Sequence, residues 1–422
     1  MNDRLDELII RFECSPKLVT GLGVHDFYRK CCKTAAAAAA AFALVSATAC
    51  GGGKVTVSVS NETDAAIGPR CVELSAADVL ERLGSKGFYV TDQDGREVAS
   101  QLTSDSLILF MADVPAGETR SFTVNPCDTL RSYPPTVGGR FYPKRRDDVS
   151  YENELMGFRI YGPGTQQAGE KSYGYDLFLK HPTDELIVPQ LYAPETDDAV
   201  WAKVDSLRKI DNGLAEDFIK TFSYHLDHGL GMDCYAVGAT LGAGVAAVLD
   251  GDSICYPWCY EKAEIIDNGP LRFTLALDFA PVAKGKYASV GEHRILTLDS
   301  QSHLNRCRVW YDGLEGEGET TLVAGFPLRD DSEVLEDNGR GIVTYADPTQ
   351  GPDNGKAMVA VVMEGADSIF RKDGHAVMSK TVAPTDTLDY RWGFAWDRAD
   401  IQSLGDWKDY LDRSDLEYTV KY

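Results

Sequence analysis

The chain has 422 residues and a formal charge of −23, from 42 Lys+Arg against 65 Asp+Glu. Apolar residues at 44% and charged residues at 25% describe a globular chain, which excludes an intrinsically disordered one, and at roughly 100–200 residues per domain the length suits two or three domains. So acidic a chain, without a Lys/Arg-dense stripe, is poorly suited to a nucleic-acid backbone.

The chain opens with a targeting segment. Arg29-Lys30-Cys31-Cys32-Lys33 is basic, and residues 34–49 are an unbroken run of small and apolar side chains. These are the n-region and h-region of a secretory signal, too short for a membrane span of about 20 residues. Ser46-Ala47-Thr48-Ala49-Cys50 followed by three glycines resembles a bacterial lipobox, which would make Cys50 an acylated anchor. Residues 1–28 read as a leader outside the fold. The expected location is exported, on the periplasmic or outer-membrane surface, with the membrane touched only through the lipid. Beyond Cys50 six cysteines remain: Cys71, Cys127, Cys234, Cys255, Cys259 and Cys307. That number is sparse for a disulfide scaffold, and buried thiols or one local disulfide at Cys255-x-x-x-Cys259 are favoured over a zinc site.

Residues 54–128 begin with the period-2 alternation Val55-x-Val57-x-Val59. Further strands are predicted at 87–91, 107–111 and 121–124, with a helix over 75–83. A small antiparallel β-sandwich is the simplest assembly. Residues 129–139, with Pro134-Pro135 and Gly138-Gly139, form a linker. Residues 140–422 keep an alternating pattern at 271–279, 294–299 and 305–311, and residues 358–363 form a continuous apolar run typical of a strand buried on both faces. Helical spacing occurs at 197–210 and 401–411. No repeat and no βα alternation is present, so the expected class is all-β: a small N-terminal sandwich, then a large antiparallel supersandwich with few helices.

Three constellations carry candidate chemistry. Around the glycines of 229–231, Tyr224, His225, Asp227, His228, Asp233 and Tyr235 crowd polar groups into one turn. Imidazole is a neutral-pH proton carrier, and a phenol beside it can serve as acid, so Tyr224, His225, Asp227 and His228 are the catalytic candidates. A divalent metal at His225, Asp227 and His228 is the less favoured use of the same residues, and no cofactor is expected. The second constellation runs from Arg140 to Glu154, with Arg145, Arg146, Glu152 and Asn153, and on to Arg159; its guanidinium forks suit carboxylate recognition. A third joins Tyr175 and Asp176 to Lys180 and His181, and Trp392-x-Phe394-x-Trp396 offers either a sugar-stacking platform or core. The substrate-binding candidates are therefore Arg145, Arg146, Glu152, Asn153, Arg159, Lys180, Tyr175, Asp233 and Trp396. Gly238-x-x-x-Gly242-x-Gly244 lacks dinucleotide spacing.

The order Arg145-Arg146-Asp147-Asp148-x-x-Tyr151-Glu152-Asn153, Arg159-x-Tyr161-Gly162-Pro163, Tyr224-His225-x-Asp227-His228-Gly229-x-Gly231-x-Asp233 and Asn268-Gly269-Pro270-Leu271-Arg272 resembles an uncharacterised family of exported Bacteroidetes lipoproteins. Its members, which carry a domain of unknown function, are often encoded beside polysaccharide-degrading enzymes. The second part, with Glu292-x-Arg294-x-Leu296-x-Leu298-Asp299, is also similar to the galactose-mutarotase-like supersandwich of polysaccharide lyases and glycoside hydrolases. The resemblance implies a carbohydrate partner, an oligosaccharide or polysaccharide. The favoured expectation is β-elimination of a uronic-acid-containing oligosaccharide; the alternatives are a glycoside hydrolase with paired carboxylates such as Glu152 and Asp227, and a non-catalytic glycan-binding protein.

Overall fold

Alternating side chains sort the described residues, 53–315 and 318–422 of a computed structural model, into antiparallel sheets stacked on apolar faces. The leader and Cys50 lie outside the described residues. In strand Val55–Ser60, Val55, Val57 and Val59 point inward and are fully buried. That strand pairs with Thr119–Cys127, which pairs in turn with Gly87–Thr91, while Arg70–Ser75, Leu107–Ala112 and Ser100–Leu102 form the opposing sheet. Helix Ala76–Leu83 is capped by Ser75 and adds Val79 and Leu83 to this core. The alternation therefore builds two facing antiparallel sheets around one small core. Its first sheet is completed from far along the chain, because Thr419–Lys421 pairs with Val55–Ser60. The described residues form one compact unit.

The rest is also β-sheet, and the chain is an all-β sandwich with few helices. An eight-stranded sheet runs in the order Lys262–Asn268, Arg272–Lys284, Tyr287–Asp299, Leu304–Asp312, Leu388–Trp396, Ala357–Val362, Ile342–Asp347, Val334–Asp337. A five-stranded sheet runs Ser253–Cys255, Ala246–Asp250, Thr320–Pro327, His375–Val382, Ser368–Lys372. Their facing residues share one core with Tyr151, Phe158 and Leu177 of a further five-stranded sheet. The apolar run at 358–362 is explained by two partners: Val359 and Val361 enter this core, while Met358, Ala360 and Val362 meet Trp407 and Leu411 of helix Leu404–Arg413.

Helix Asp198–Arg208 falls within its predicted span, and Leu404–Arg413 overlaps the second and runs two residues past it. Helices Val188–Glu195 and Asn212–Lys220 were not legible as such. The first carries Pro189 and Pro194, which read as turn signals although the former occupies the tolerated first turn. All six described cysteines are free thiols, so the local disulfide considered for Cys255 and Cys259 is not formed. Among the described residues no helix is long and apolar enough to cross a membrane.

Candidate functional site

The further five-stranded sheet positions the site. Its order is Gly231–Met232, Asp176–Lys180, Gly157–Ile160, Asp148–Glu152, Gly138–Tyr142. Period-2 geometry sends Val149, Tyr151, Phe158, Leu177 and Leu179 into the main core. The same geometry directs Asp148, Ser150, Glu152, Arg159, Asp176, Phe178 and Lys180 to the opposite face, and register places Arg159 beside both Ser150 and Asp176. That polar face does not meet bulk water. Ile187, Val188, Leu191 and Tyr192 of the helix Val188–Glu195 region, with Tyr224, pack over Phe178 and cover it.

At one end of this buried face Glu152 is spent on structure. Its carboxylate accepts Lys180 Nζ at 2.9 Å and the N–H groups of Ile187 and Val188 at 2.8 Å each. A carboxylate here satisfies orphan donors at the helix N-terminus. Burial still raises its pKa, against the opposing pull of Lys180. Lys180 Nζ also donates to the carbonyls of Asn153 at 2.7 Å and Glu185 at 2.8 Å. Asn153 donates to Asp299 and Ser302 carbonyls at 2.8 Å and accepts from the Leu155 and Met156 amides. Tyr175 stacks on Trp392 at 4.1 Å and takes a bond from Arg294 at 3.0 Å. Trp396 is core, with its indole N–H on the Asn354 carbonyl at 2.8 Å. Glu152, Asn153, Lys180, Tyr175 and Trp396, the substrate-binding candidates of this region, are each buried with polar atoms engaged inside the protein.

In the centre, Arg159 is held between carboxylates. Its Nε donates to Asp176 at 2.8 Å, its Nη2 to Asp233 at 2.8 Å and also to Asp176, and Tyr161 donates its hydroxyl to Asp176 at 2.6 Å. Burial lifts the Asp233 carboxyl to about 6 even against Arg159, with Asp176 adding to the rise. Asp148, on the Gly162 amide at 3.1 Å, is likewise raised by burial to about 6. A buried Arg with five rigid donors suits this multidentate role. Arg159 and Asp233 act here as a fixed frame.

The open end belongs to the loop of residues 222–233. Asp227 accepts the amides of Gly229 and Gly231 at 2.8 and 3.1 Å, and Asp233 N–H closes on the Tyr224 carbonyl at 2.9 Å. Gly231 sits at φ +125°, where a Cβ would strike the Leu179 carbonyl, so no other residue fits this approach. The loop sets the His225 ring 4.2 Å from that of Tyr224, and His225 Nδ1 lies 2.8 Å from the Asp233 carbonyl. A proton on Nδ1 makes that bond and leaves Nε2 as the acceptor; the tautomer is assigned from this contact. Among the described residues Nε2 has no partner, and the side chain is 54% exposed. Arg145 donates to the Tyr224 hydroxyl, and its guanidinium lies 5.0 Å from the Tyr224 ring and 5.2 Å from that of Tyr192. Burial raises the Tyr224 phenol to about 12 against the influence of Arg159 and Arg145.

The structure therefore brings Arg145 onto Tyr224, 79 positions further along the chain, with His225 stacked beside Tyr224. It does not bring His225, Asp227 and His228 onto one point. Asp227 pairs with His181 at 2.8 Å and His228 Nε2 bonds the Ser223 carbonyl at 3.2 Å, so these three residues do not form a common metal-binding point. Arg146 is exposed on an ion pair with Glu170. The residue unmarked by sequence is Glu195, at the C-terminal end of helix Val188–Glu195. It is half-buried, burial raises its pKa, and the Arg145 and His225 charges oppose that rise. No motif flags it, since a lone Glu between Pro194 and Thr196 has no signature until the helix is docked.

An uncharacterised protein designated P7 from Formosa agariphila is 26% identical over 354 residues, spanning 82% of each chain. A protein in the glycosyl hydrolase family 38 and an alpha-mannosidase, both from Enterococcus faecalis, align with TM-scores of 0.48 and 0.47 at 10% identity. The alignments cover 87% of this chain but only 47% and 46% of those proteins, so it spans about half their length. The family model described as a domain of unknown function, DUF4861, matches residues 59–421, and the chain belongs to that family.

Proposed function

We propose that the chain is a saccharide-cleaving enzyme whose acid–base centre is Glu195 and His225, with Tyr224 and Arg145 beside them. The observation that carries this reading is a half-exposed imidazole, tethered through Nδ1 and open at Nε2, within electrostatic reach of a half-buried carboxyl whose pKa burial raises. Hydrolysis of a neutral glycoside fits better than the β-elimination favoured from sequence. Around Arg145 and Arg159 stand Asp148, Asp176, Asp233 and Glu195, so carboxyls outnumber guanidiniums where a uronate would bind. Both arginines are already engaged by protein groups. In this reading Glu195 protonates the glycosidic oxygen and His225 Nε2 takes a proton from the attacking water, so one water adds across the broken C–O bond. Elimination remains the second reading on one specific contact, the Arg145 donation to the Tyr224 phenol next to His225. The Glu152–Asp227 carboxylate pair is not part of either mechanism, because Glu152 is locked on Lys180.

Mass spectrometry of products from a panel of neutral and uronate oligosaccharides tests both readings. Gain of water supports hydrolysis, whereas an unsaturated, ultraviolet-absorbing product supports elimination. His225→Ala and Glu195→Gln should each slow turnover by on the order of 10²–10⁴. Binding without any product, unchanged in His225→Ala, would leave only a glycan-binding protein. We further propose that the chain is exported and anchored through Cys50; incorporation of a palmitate analogue by expressing cells should vanish in Cys50→Ala.

A further inference from the structure

Trp392 and Trp396, which the sequence leaves as either a sugar-stacking platform or core, are core, yet another tryptophan lies open. Trp258 is 48% exposed, in the turn between strands Ser253–Cys255 and Lys262–Asn268. The Tyr173 ring lies 5.9 Å from both Trp258 and Tyr256, tilted at 33° to the first and stacked at 29° on the second. Tyr173 and Tyr256 are half-buried behind the open Trp258 face, and an exposed tryptophan backed by further rings is a surface suited to ligand contact. A small pocket lined by Tyr173 and Trp258 has Tyr161 in its wall, the same Tyr161 that donates to Asp176 and accepts from Arg159 in the charged frame of the site. Its rim is polar. Ser172 donates to Glu170, which holds Arg146, and Tyr260 donates to the Asp147 carbonyl, tying the aromatic turn to the loop that carries Arg146.

We propose that Tyr173, Tyr256 and Trp258 form a pyranose-stacking subsite that holds a sugar unit beyond the bond cleaved. The C–H face of a pyranose ring is apolar and matches the π-face of an aromatic side chain, while its equatorial hydroxyls reach the polar rim. A stacking site of this kind needs no charge on the sugar, in keeping with the acidic surroundings. The inference rests on the saccharide reading of the site and extends it to longer, neutral chains.

The test uses cellohexaose, mannohexaose, xylohexaose and a galacturonate hexamer, with tryptophan fluorescence for binding and product analysis for cleavage. One of the neutral hexamers should bind His225→Ala protein with a fluorescence change that disappears when Trp258→Ala is added. Affinity should fall roughly tenfold, the loss expected for one stacked ring, and Trp258→Phe should retain most of it. In otherwise wild-type protein Trp258→Ala should raise KM for the hexamer by a similar factor; circular dichroism checks that this exposed substitution leaves the fold intact. Cleavage of a hexamer with unchanged KM in both Trp258→Ala and Tyr173→Ala overturns the subsite while leaving the acid–base centre standing. Trp258-dependent binding without cleavage supports the subsite and counts against the centre. Binding of none of the neutral hexamers overturns the subsite.

Discussion

Asp347 shows at the scale of one residue how burial against incomplete compensation becomes measurable. One oxygen accepts the Thr349 amide at 2.8 Å, the other is buried without a hydrogen-bond partner, and the Arg329 Nε stands 3.8 Å away. Burial therefore lifts the carboxyl to about 6, with Asp330 adding to the rise and Thr349 and Arg329 opposing it. The folded state then holds a proton that the unfolded chain, with an Asp pKa of about 3.9, has already released. Its contribution to stability is full below pH ~4 and is lost as pH rises through ~6. Asp347→Asn keeps an acceptor for Thr349 and removes the titration. It should stabilise the protein at pH 7 by on the order of 2 kcal/mol and have little effect near pH 4, as read by urea unfolding at both pH values. Equal effects at the two pH values would mean that the carboxyl is charged throughout.

Among the elements, helix Val188–Glu195 depends on a residue that looked catalytic. Glu152 closes strand Asp148–Glu152 and lies at the N-terminus of the helix, where it binds the amides of Ile187 and Val188 while neutralising Lys180. One carboxylate thus joins a strand, a helix start and a buried ammonium, and the far end of that helix presents Glu195. Glu152→Ala should destabilise the protein by about 3–5 kcal/mol, since it strands a buried charge and frees helix amides. Denaturant midpoints read this directly. A variant of wild-type stability with reduced turnover would instead return Glu152 to the chemistry. The far end of the helix is also anchored: Lys144 donates to the Thr196 carbonyl at 3.0 Å, tying the helix to the turn that carries Arg145.

For the whole molecule, the C-terminal segment closes the N-terminal sandwich. Thr419–Lys421 pairs with Val55–Ser60, the Tyr418 hydroxyl donates to the Gly68 carbonyl at 2.7 Å and receives the Val114 amide at 3.0 Å, and Ser75 N–H bonds the Tyr422 hydroxyl at 3.1 Å. Removing residues 415–422 would expose Val55–Ser60 as an edge strand and break each of these bonds. Amide exchange should then accelerate across the small sandwich and stay slow in the eight-stranded sheet. Uniform acceleration throughout would show instead that the two layers unfold as one cooperative unit. Contact between the layers is also polar: Gln101 accepts the Leu271 and Arg272 amides at 2.8 Å, and Arg272 joins Glu73 to Asp299.

The sequence by itself determined the strand class and the helices near 197–210 and 401–411, because period-2 and capping signals are local and survive without tertiary context. It also singled out Arg145, Tyr224 and His225, whose residue types are unusual for their surroundings. Only the tertiary structure decided which polar residues face solvent and which are buried counter-charges: period 2 places Glu152, Arg159, Asp176 and Lys180 on one face, but the helix that covers that face is fixed by contacts distant in sequence. For the same reason Trp392 and Trp396 became core while Trp258 stayed open, and Glu195 came within electrostatic reach of His225 only when its helix docked. Burial is a property of the assembled neighbours, and a single chain segment does not carry it.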